Sequence, residues 1–241
     1  MSGATEDRFL NGRVRIRQMA TGFRSGLDAV MLAAAVPAGA GDHALELGSG
    51  AGTASLCLAA RATGSSVTGV EIDPALAALA TANAGANGMA QRVSFVAADV
   101  FDLPKELRRE FAHVLCNPPF HEGGEVSPDP ARDRALRDAG RLAQWMEAGL
   151  KRTASEGTFT AIVRADRMGE ALARLPERGV CVFPLWARAG AEAKRVLLQV
   201  RKGSRAPSAL LSGLTLHNAD GSYTPEADRV LRDGTALALA A

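Results

Sequence analysis

The sequence predicts an α/β fold: a doubly wound, mostly parallel sheet of seven strands with a terminal antiparallel hairpin. Three observations lead there. Short apolar runs of strand character alternate with helical segments from residue 42 to about residue 175, the pattern of a parallel sheet covered on both faces. A glycine-rich turn, Glu46-Leu-Gly48-Ser-Gly50-Ala-Gly52, joins the first of these strands to the helix after it. Four chemically suggestive groups, 46–52, 71–73, 99–100 and 117–120, all fall at strand ends, where ligands of such sheets lie.

Each element has its own warrant. Arg13, Arg15 and Arg17 alternate with Val14 and Ile16, the period of a strand. Ser25-Gly-Leu-Asp28 reads as a capping box opening an apolar helix from Gly26 to about Val36, stopped at Pro37. Residues 43–48 form a short apolar strand, and 51–61 a helix of small residues and leucines. Ser66 to Ile72 is a strand. Asp73-Pro74 then supplies an N-cap and a first-turn proline for a helix to about Gly85. Strands follow at 92–97 and 111–116, a polar segment at 121–137, and a helix from about Arg137 to Thr153. A strand at 157–164 and a helix at 166–175 complete the alternation. Residues 180–187 and 194–201 read as a hairpin that adds an antiparallel strand at the sheet edge.

Length and composition set the class. The chain has 241 residues, 47% of them hydrophobic and 22% charged, which excludes a mainly disordered protein. One domain with extensions is expected: a basic strand and helix over 1–40, a core over 41–205 and a C-terminal extension over 206–241. No stretch reads as a signal peptide or a membrane span. The three cysteines and four histidines are scattered, so neither a disulfide framework nor a metal site is expected. A cytoplasmic, metal-free monomer or homodimer is the expectation.

The charge is uneven although the net is only +2. From Arg8 to Arg24 there are five arginines and no acid. From Arg188 to Arg205 there are six basic residues and one acid, while the stretch from Asp42 to Glu106 holds seven acids and three basic residues. Arginine forks suit phosphates and stack on bases. An ordinary solvated surface fits the same counts.

The glycine turn differs from a dinucleotide fingerprint, because its third glycine comes one residue early. Its backbone N–H groups can approach a ligand. Glu46 at the strand end suits a ligand carrying positive charge and repels a pyrophosphate, which favours S-adenosylmethionine over NAD. Glu71, ending the next strand, can accept both hydroxyls of a ribose. Asp73 has the N-cap role instead. Asp99 either accepts from an adenine amino group or caps a turn.

Asn117-Pro118-Pro119-Phe120 ends the fourth strand. Two prolines fix the backbone and hold Asn117 extended. The Asn117 side-chain oxygen and the Pro118 carbonyl then form a rigid acceptor pair for the two hydrogens of an exocyclic amine. Held so, the nitrogen lone pair is aimed at an electrophilic methyl, and Phe120 offers a face for a flat base. Among the remaining residues, His121 reads as a substrate contact or a loop histidine, and 121–137 as a flap or a loop. Trp145 and Trp186 read as packing residues, and Cys116 as a buried strand residue rather than a nucleophile.

Together these residues resemble the class I S-adenosylmethionine-dependent methyltransferases with an amino-group-methylating [ND]PP[YFW] motif. ELGSGAG is similar to their first motif, with Ser49 where cysteine is common; Glu71, Asp99 and NPPF match the second, third and fourth. The resemblance implies a Rossmann-like methyltransferase core. It places cofactor contacts at Glu46, Gly48, Ser49, Gly50, Gly52, Glu71, Ile72, Asp99, Val100 and Asn117, and catalysis at Asn117, Pro118, Pro119 and Phe120. Residues 15–37, with Gln18 and Arg24 as further cofactor-side positions, resemble the bacterial tRNA (adenine-N6)-methyltransferases that act on valine tRNA at adenine 37. The implied activity is S-adenosylmethionine-dependent methylation of an RNA base amine, with tRNA as partner. An rRNA guanine-N2 methyltransferase, a protein glutamine methyltransferase and a cofactor-bound RNA-binding protein are the alternatives.

Overall fold

A computed structural model describes residues 4–19, 24–119 and 141–239. The chain opens with an antiparallel hairpin, β1 (Ala4–Phe9) and β2 (Val14–Met19). Val14, Ile16 and Gln18 are buried while Arg15, Arg17 and Met19 are exposed, the alternation expected of a half-covered strand. The partner strand β1 has no signature of its own in the sequence.

Helix α1 (Leu27–Ala35) is buried at seven consecutive positions, Ala29 to Ala35, as a run that is apolar all round must be. Arg61 reaches across to the Ala33 and Val36 carbonyls at its C-terminal end. The expected capping box does not form. The N-cap is Gly26 with no side-chain hydrogen bond. The Ser25 N–H donates to the Gln18 side chain at 2.7 Å, and the Asp28 carboxylate accepts from Arg195 at 2.9 Å. A tertiary ion pair has taken the carboxylate that the local motif needed.

The core elements follow the predicted order: β3 (His43–Leu47), α2 (Thr53–Arg61), β4 (Ser66–Glu71), α3 (Pro74–Ala86), β5 (Val93–Ala97) and β6 (Phe111–Cys116). Next come α4 (Leu142–Arg152), β7 (Thr153–Arg164) and a short α5 (Met168–Leu172) after one 3-10 turn. Strands β8 (Val180–Arg188) and β9 (Ala193–Arg201) form the antiparallel hairpin. Residues beyond them add β10 (Ala209–Leu210), β11 (Leu214–His217) and a terminal helical turn α6 (Pro225–Asp228).

The seven long strands lie in the order β8-β9-β7-β6-β3-β4-β5. The antiparallel strand β9 is not at the edge, as expected, but lies between β7 and β8. The short β10 and β11 pair in parallel with β8 and cover its outer side. Both faces of the sheet are packed. Leu115 joins a core with α1, α2, the hairpin and the C-terminal segment, whereas Val114 and Cys116 join a second core with α4 and Phe159. Strands β3, β4, β5 and β6 run parallel and in close register, Leu47 beside both Val70 and Cys116, and Glu71 beside Ala97. Their carboxyl ends therefore open on one edge. Among the described residues no helix is long and apolar enough to cross a membrane.

Candidate active site

The glycine turn leaves β3 at Gly48, whose N–H donates with that of Ser49 to the Val70 carbonyl, at 2.8 and 2.9 Å. Gly48 has φ +73°, and a Cβ there would sit 2.8 Å from the Trp145 ring. Gly50 also has positive φ, but a Cβ on it would meet nothing within 4 Å. It faces open space, and its N–H donates to Glu71 Oε2 at 2.8 Å.

Four acids stand at or near this edge. Glu46 is 3% exposed. Its Oε2 accepts from the Ser55 N–H at 2.9 Å and from the Ser55 hydroxyl. Burial pushes its carboxyl up to about 8, opposed by the Ser55 bonds and reinforced by the nearby Glu71. Burial also raises Glu71, whose oxygens accept from Gly50 and, at 3.0 Å, from Asp73 N–H. Asp73 caps α3 through Ala75 and Leu76. The Asp99 Oδ1 closes a turn on the Phe101 N–H at 2.8 Å. Ile72 is 36% exposed at the edge, whereas the Val100 side chain is buried in the core, so only its backbone can serve a ligand.

Asn117 leaves β6 on the same edge, followed by the two prolines. Phe120, and with it His121 and the 121–137 segment, lies outside the described residues. Among the described residues four buried side-chain polar atoms have no hydrogen-bond partner: Ser49 Oγ, Thr53 Oγ1, Asn117 Oδ1 and Trp145 Nε1. Such orphans are rare, and each costs about 1–3 kcal/mol unless something satisfies it. Three belong to the glycine turn, the start of α2 and the end of β6, and the fourth to the indole packed on Gly48. A cofactor with hydroxyl, amino and carboxylate groups suits this donor and acceptor set.

Cys116 is fully buried and its thiol is pushed far up by burial, consistent with an inert strand residue. Trp145 is 4% exposed in the core, and Trp186 donates to the Ser212 carbonyl at 3.0 Å.

The N-terminal positions come together differently. Gln18 donates to Asp7 at 2.8 Å and to the Ser25 carbonyl at 3.0 Å, and Arg24 donates to the same Asp7 oxygen at 2.6 Å. Both side chains thus fasten the hairpin to the start of α1. Asp7, their shared acceptor, carried no sequence signal. Asn83 is a second residue that sequence reasoning missed. It is 1% exposed and bonds the Arg17 N–H and C=O, both at 3.0 Å, and the Ala51 carbonyl at 2.9 Å. One amide therefore ties the hairpin to the glycine turn. Asn87, four residues on, holds the N–H and C=O of Arg15 in the same way.

Comparison with known proteins agrees with this geometry. The methyltransferase small domain family matches residues 26–144. A tRNA1(Val) (adenine(37)-N6)-methyltransferase from Porphyromonas gingivalis is 30% identical over 240 residues, covering 91% of each chain. The chain belongs to this methyltransferase family. A relative of the same name from Shewanella amazonensis is 29% identical over 86% of this chain and 89% of its own. Among solved structures, a predicted O-methyltransferase from Agrobacterium tumefaciens superposes with TM-score 0.72 at 27% identity, covering 87% of this chain and 97% of that one. A SAM-dependent O-methyltransferase from Thermotoga maritima, with TM-score 0.55 and 16% identity over 77% of this chain and 68% of its own, shares the fold.

Proposed function

We propose that this protein is a tRNA (adenine-N6)-methyltransferase that uses S-adenosylmethionine. The observation that carries the chemistry is Asn117 Oδ1, a buried acceptor at the end of β6 without a partner among the described residues. When bound, S-adenosylmethionine supplies an electrophilic methyl carried on a sulfonium. Glu46 and Glu71 bring two carboxyl groups to the binding edge, Glu46 for the cationic end and Glu71 for the ribose. The Gly50 cradle and the Ser49 and Thr53 hydroxyls supply further polar contacts.

Asn117 Oδ1 and the Pro118 carbonyl accept the two N–H groups of an adenine amine. This orients the nitrogen lone pair toward the methyl carbon. Transfer of the methyl to that nitrogen, with the sulfur leaving as a thioether, would be the chemistry that bound S-adenosylmethionine supplies. The alkylated nitrogen then sheds one proton to solvent, and no base is needed beforehand. Positioning and preorganised acceptors do the work. The substrate base must be unstacked to reach this edge.

The test is methyl transfer from labelled S-adenosylmethionine to separated tRNA, rRNA and protein from a strain lacking this gene, with products identified by mass. N6-methyladenosine in tRNA is the expected product. N2-methylguanosine in rRNA or methylglutamine in protein would keep the site and overturn the substrate.

A further inference from the structure

The turn of the N-terminal hairpin bears a cleft of about 310 Å³ lined by Arg8, Arg13 and Arg15 with Gly12, Ala86 and Asn87. Among the described residues no carboxylate lines it. Glu6 makes only a long, exposed ion pair with Arg8 at 3.9 Å, and the Asp233 side chain accepts from Asn11. Arg8 and Arg15 are directly opposed across the two strands. Because Asn87 occupies the outward N–H and C=O of Arg15, this is the narrow, non-hydrogen-bonded kind of pair, with Cα atoms about 4.5 Å apart. Like charges so placed destabilise a hairpin unless an anion lies between them. Arg13 is held in place by the Leu10 and Asp233 carbonyls, which fix its fork without neutralising it. Among the described residues no ion pair engages Arg13 or Arg15.

A second cleft, about 350 Å³, shares Arg8 and Gly12 with the first and is lined by Phe9, Leu231 and Tyr223. Tyr223 is 37% exposed and stacks on His217. Cations beside an apolar, aromatic floor are what an unpaired nucleotide requires, and a free anion needs only the first half. The site is also coupled to the chemistry. Arg15 is two residues, about 7 Å along an extended strand, from Arg17, which Asn83 joins to the Ala51 carbonyl of the glycine turn.

We propose that this hairpin turn is a docking site for the phosphodiester backbone of the RNA substrate, with a phosphate held by Arg8, Arg13 and Arg15 and a neighbouring base on the aromatic cleft. This rests on the RNA-methyltransferase reading above.

The experiment measures binding of tRNA to the full chain over a range of salt, with an inorganic polyphosphate as competitor. The variants are R8A/R15A, R8K/R15K and a charge-matched control, K105A/K151A, at two exposed lysines. Thermal melting and S-adenosylhomocysteine affinity check folding. The expected result is that R8A/R15A weakens tRNA binding about tenfold or more and lowers the salt slope by about two. R8K/R15K should keep the slope, and the control should behave as wild type. Equal loss in the control, or unchanged binding in R8A/R15A, would overturn the site. Polyphosphate competing as well as tRNA would reduce it to a generic anion cleft and overturn the RNA assignment. Because binding is read apart from turnover, a wild type that binds tRNA through this cleft yet methylates no adenine would refute the functional reading and leave the site standing.

Discussion

The carboxyl edge of the sheet and the N-terminal hairpin are joined through one asparagine side chain, Asn83, yet their prevailing charges are opposite. The edge carries Glu46, Glu71 and Asp99 with orphaned hydroxyl and amide oxygens. The hairpin carries Arg8, Arg13, Arg15 and Arg17. Burial raises the two glutamates at the edge, whereas the arginines are exposed. The first arrangement suits a small cation held with little access to water. The second suits a large polyanion held at the surface, where salt can compete. The difference separates two tasks that share one reaction, and single substitutions can break them one at a time.

The largest effect belongs to the acceptor pair. Asn117→Ala should lower kcat by roughly 10²–10³-fold or more, on the scale of losing one preorganised hydrogen-bonding group. S-adenosylhomocysteine affinity should change only a few-fold, checked by calorimetry beside steady-state kinetics. Equal loss of both would make Asn117 a structural residue.

The connection between the regions comes next. Asn83→Leu leaves the Ala51 carbonyl and the Arg17 backbone groups without partners in a buried place. It should cost about 2–3 kcal/mol, a fall in Tm of roughly 5–10 °C for a chain of this size, and should weaken cofactor binding. Asn87→Leu, at the half-buried end of the same pairing, should cost less than half as much and spare cofactor affinity. Melting curves with and without S-adenosylhomocysteine test both. Equal effects would mean that Asn83 serves the hairpin alone.

The last difference is in pH. The folded Glu46 carboxyl titrates at about 8 rather than 4.5, so the folded chain retains a proton that the unfolded chain has lost. The stability contributed by this group is full below pH 4.5 and declines as pH rises to about 8. A cationic ligand favours the carboxylate, so its affinity should rise across the same window. Glu46→Gln should flatten both trends, read as Tm and dissociation constant between pH 5 and 9.

Much of this was legible in the sequence, and the exceptions share a cause. The alternation of strands and helices in the core, the Asp73-Pro74 helix start and the Asn117-Pro118-Pro119 strand end are set by neighbours in the chain, so local patterns reveal them. The capping box at Ser25 failed because Arg195, distant in sequence, captured Asp28. Strand β1 was missed because ATEDRF is polar and gains its strand character only from pairing with β2. Asn83, on a helix of small residues, and Asn87, at its C-cap, carry no local signal, because their function depends on which backbone lies opposite. Glu46 lies buried near the end of β3. That Ser55 would occupy one of its oxygens depends on how α2 packs.

The most direct test of the central claim is the identity of the methylated nucleoside. Wild type and Asn117→Ala would be incubated with S-adenosylmethionine and unmodified tRNA, and the tRNA digested and weighed by mass spectrometry. The acceptor-pair account predicts N6-methyladenosine from the wild type and none above background from the variant. An O-methylated nucleoside, or N6-methyladenosine formed equally by Asn117→Ala, would contradict it.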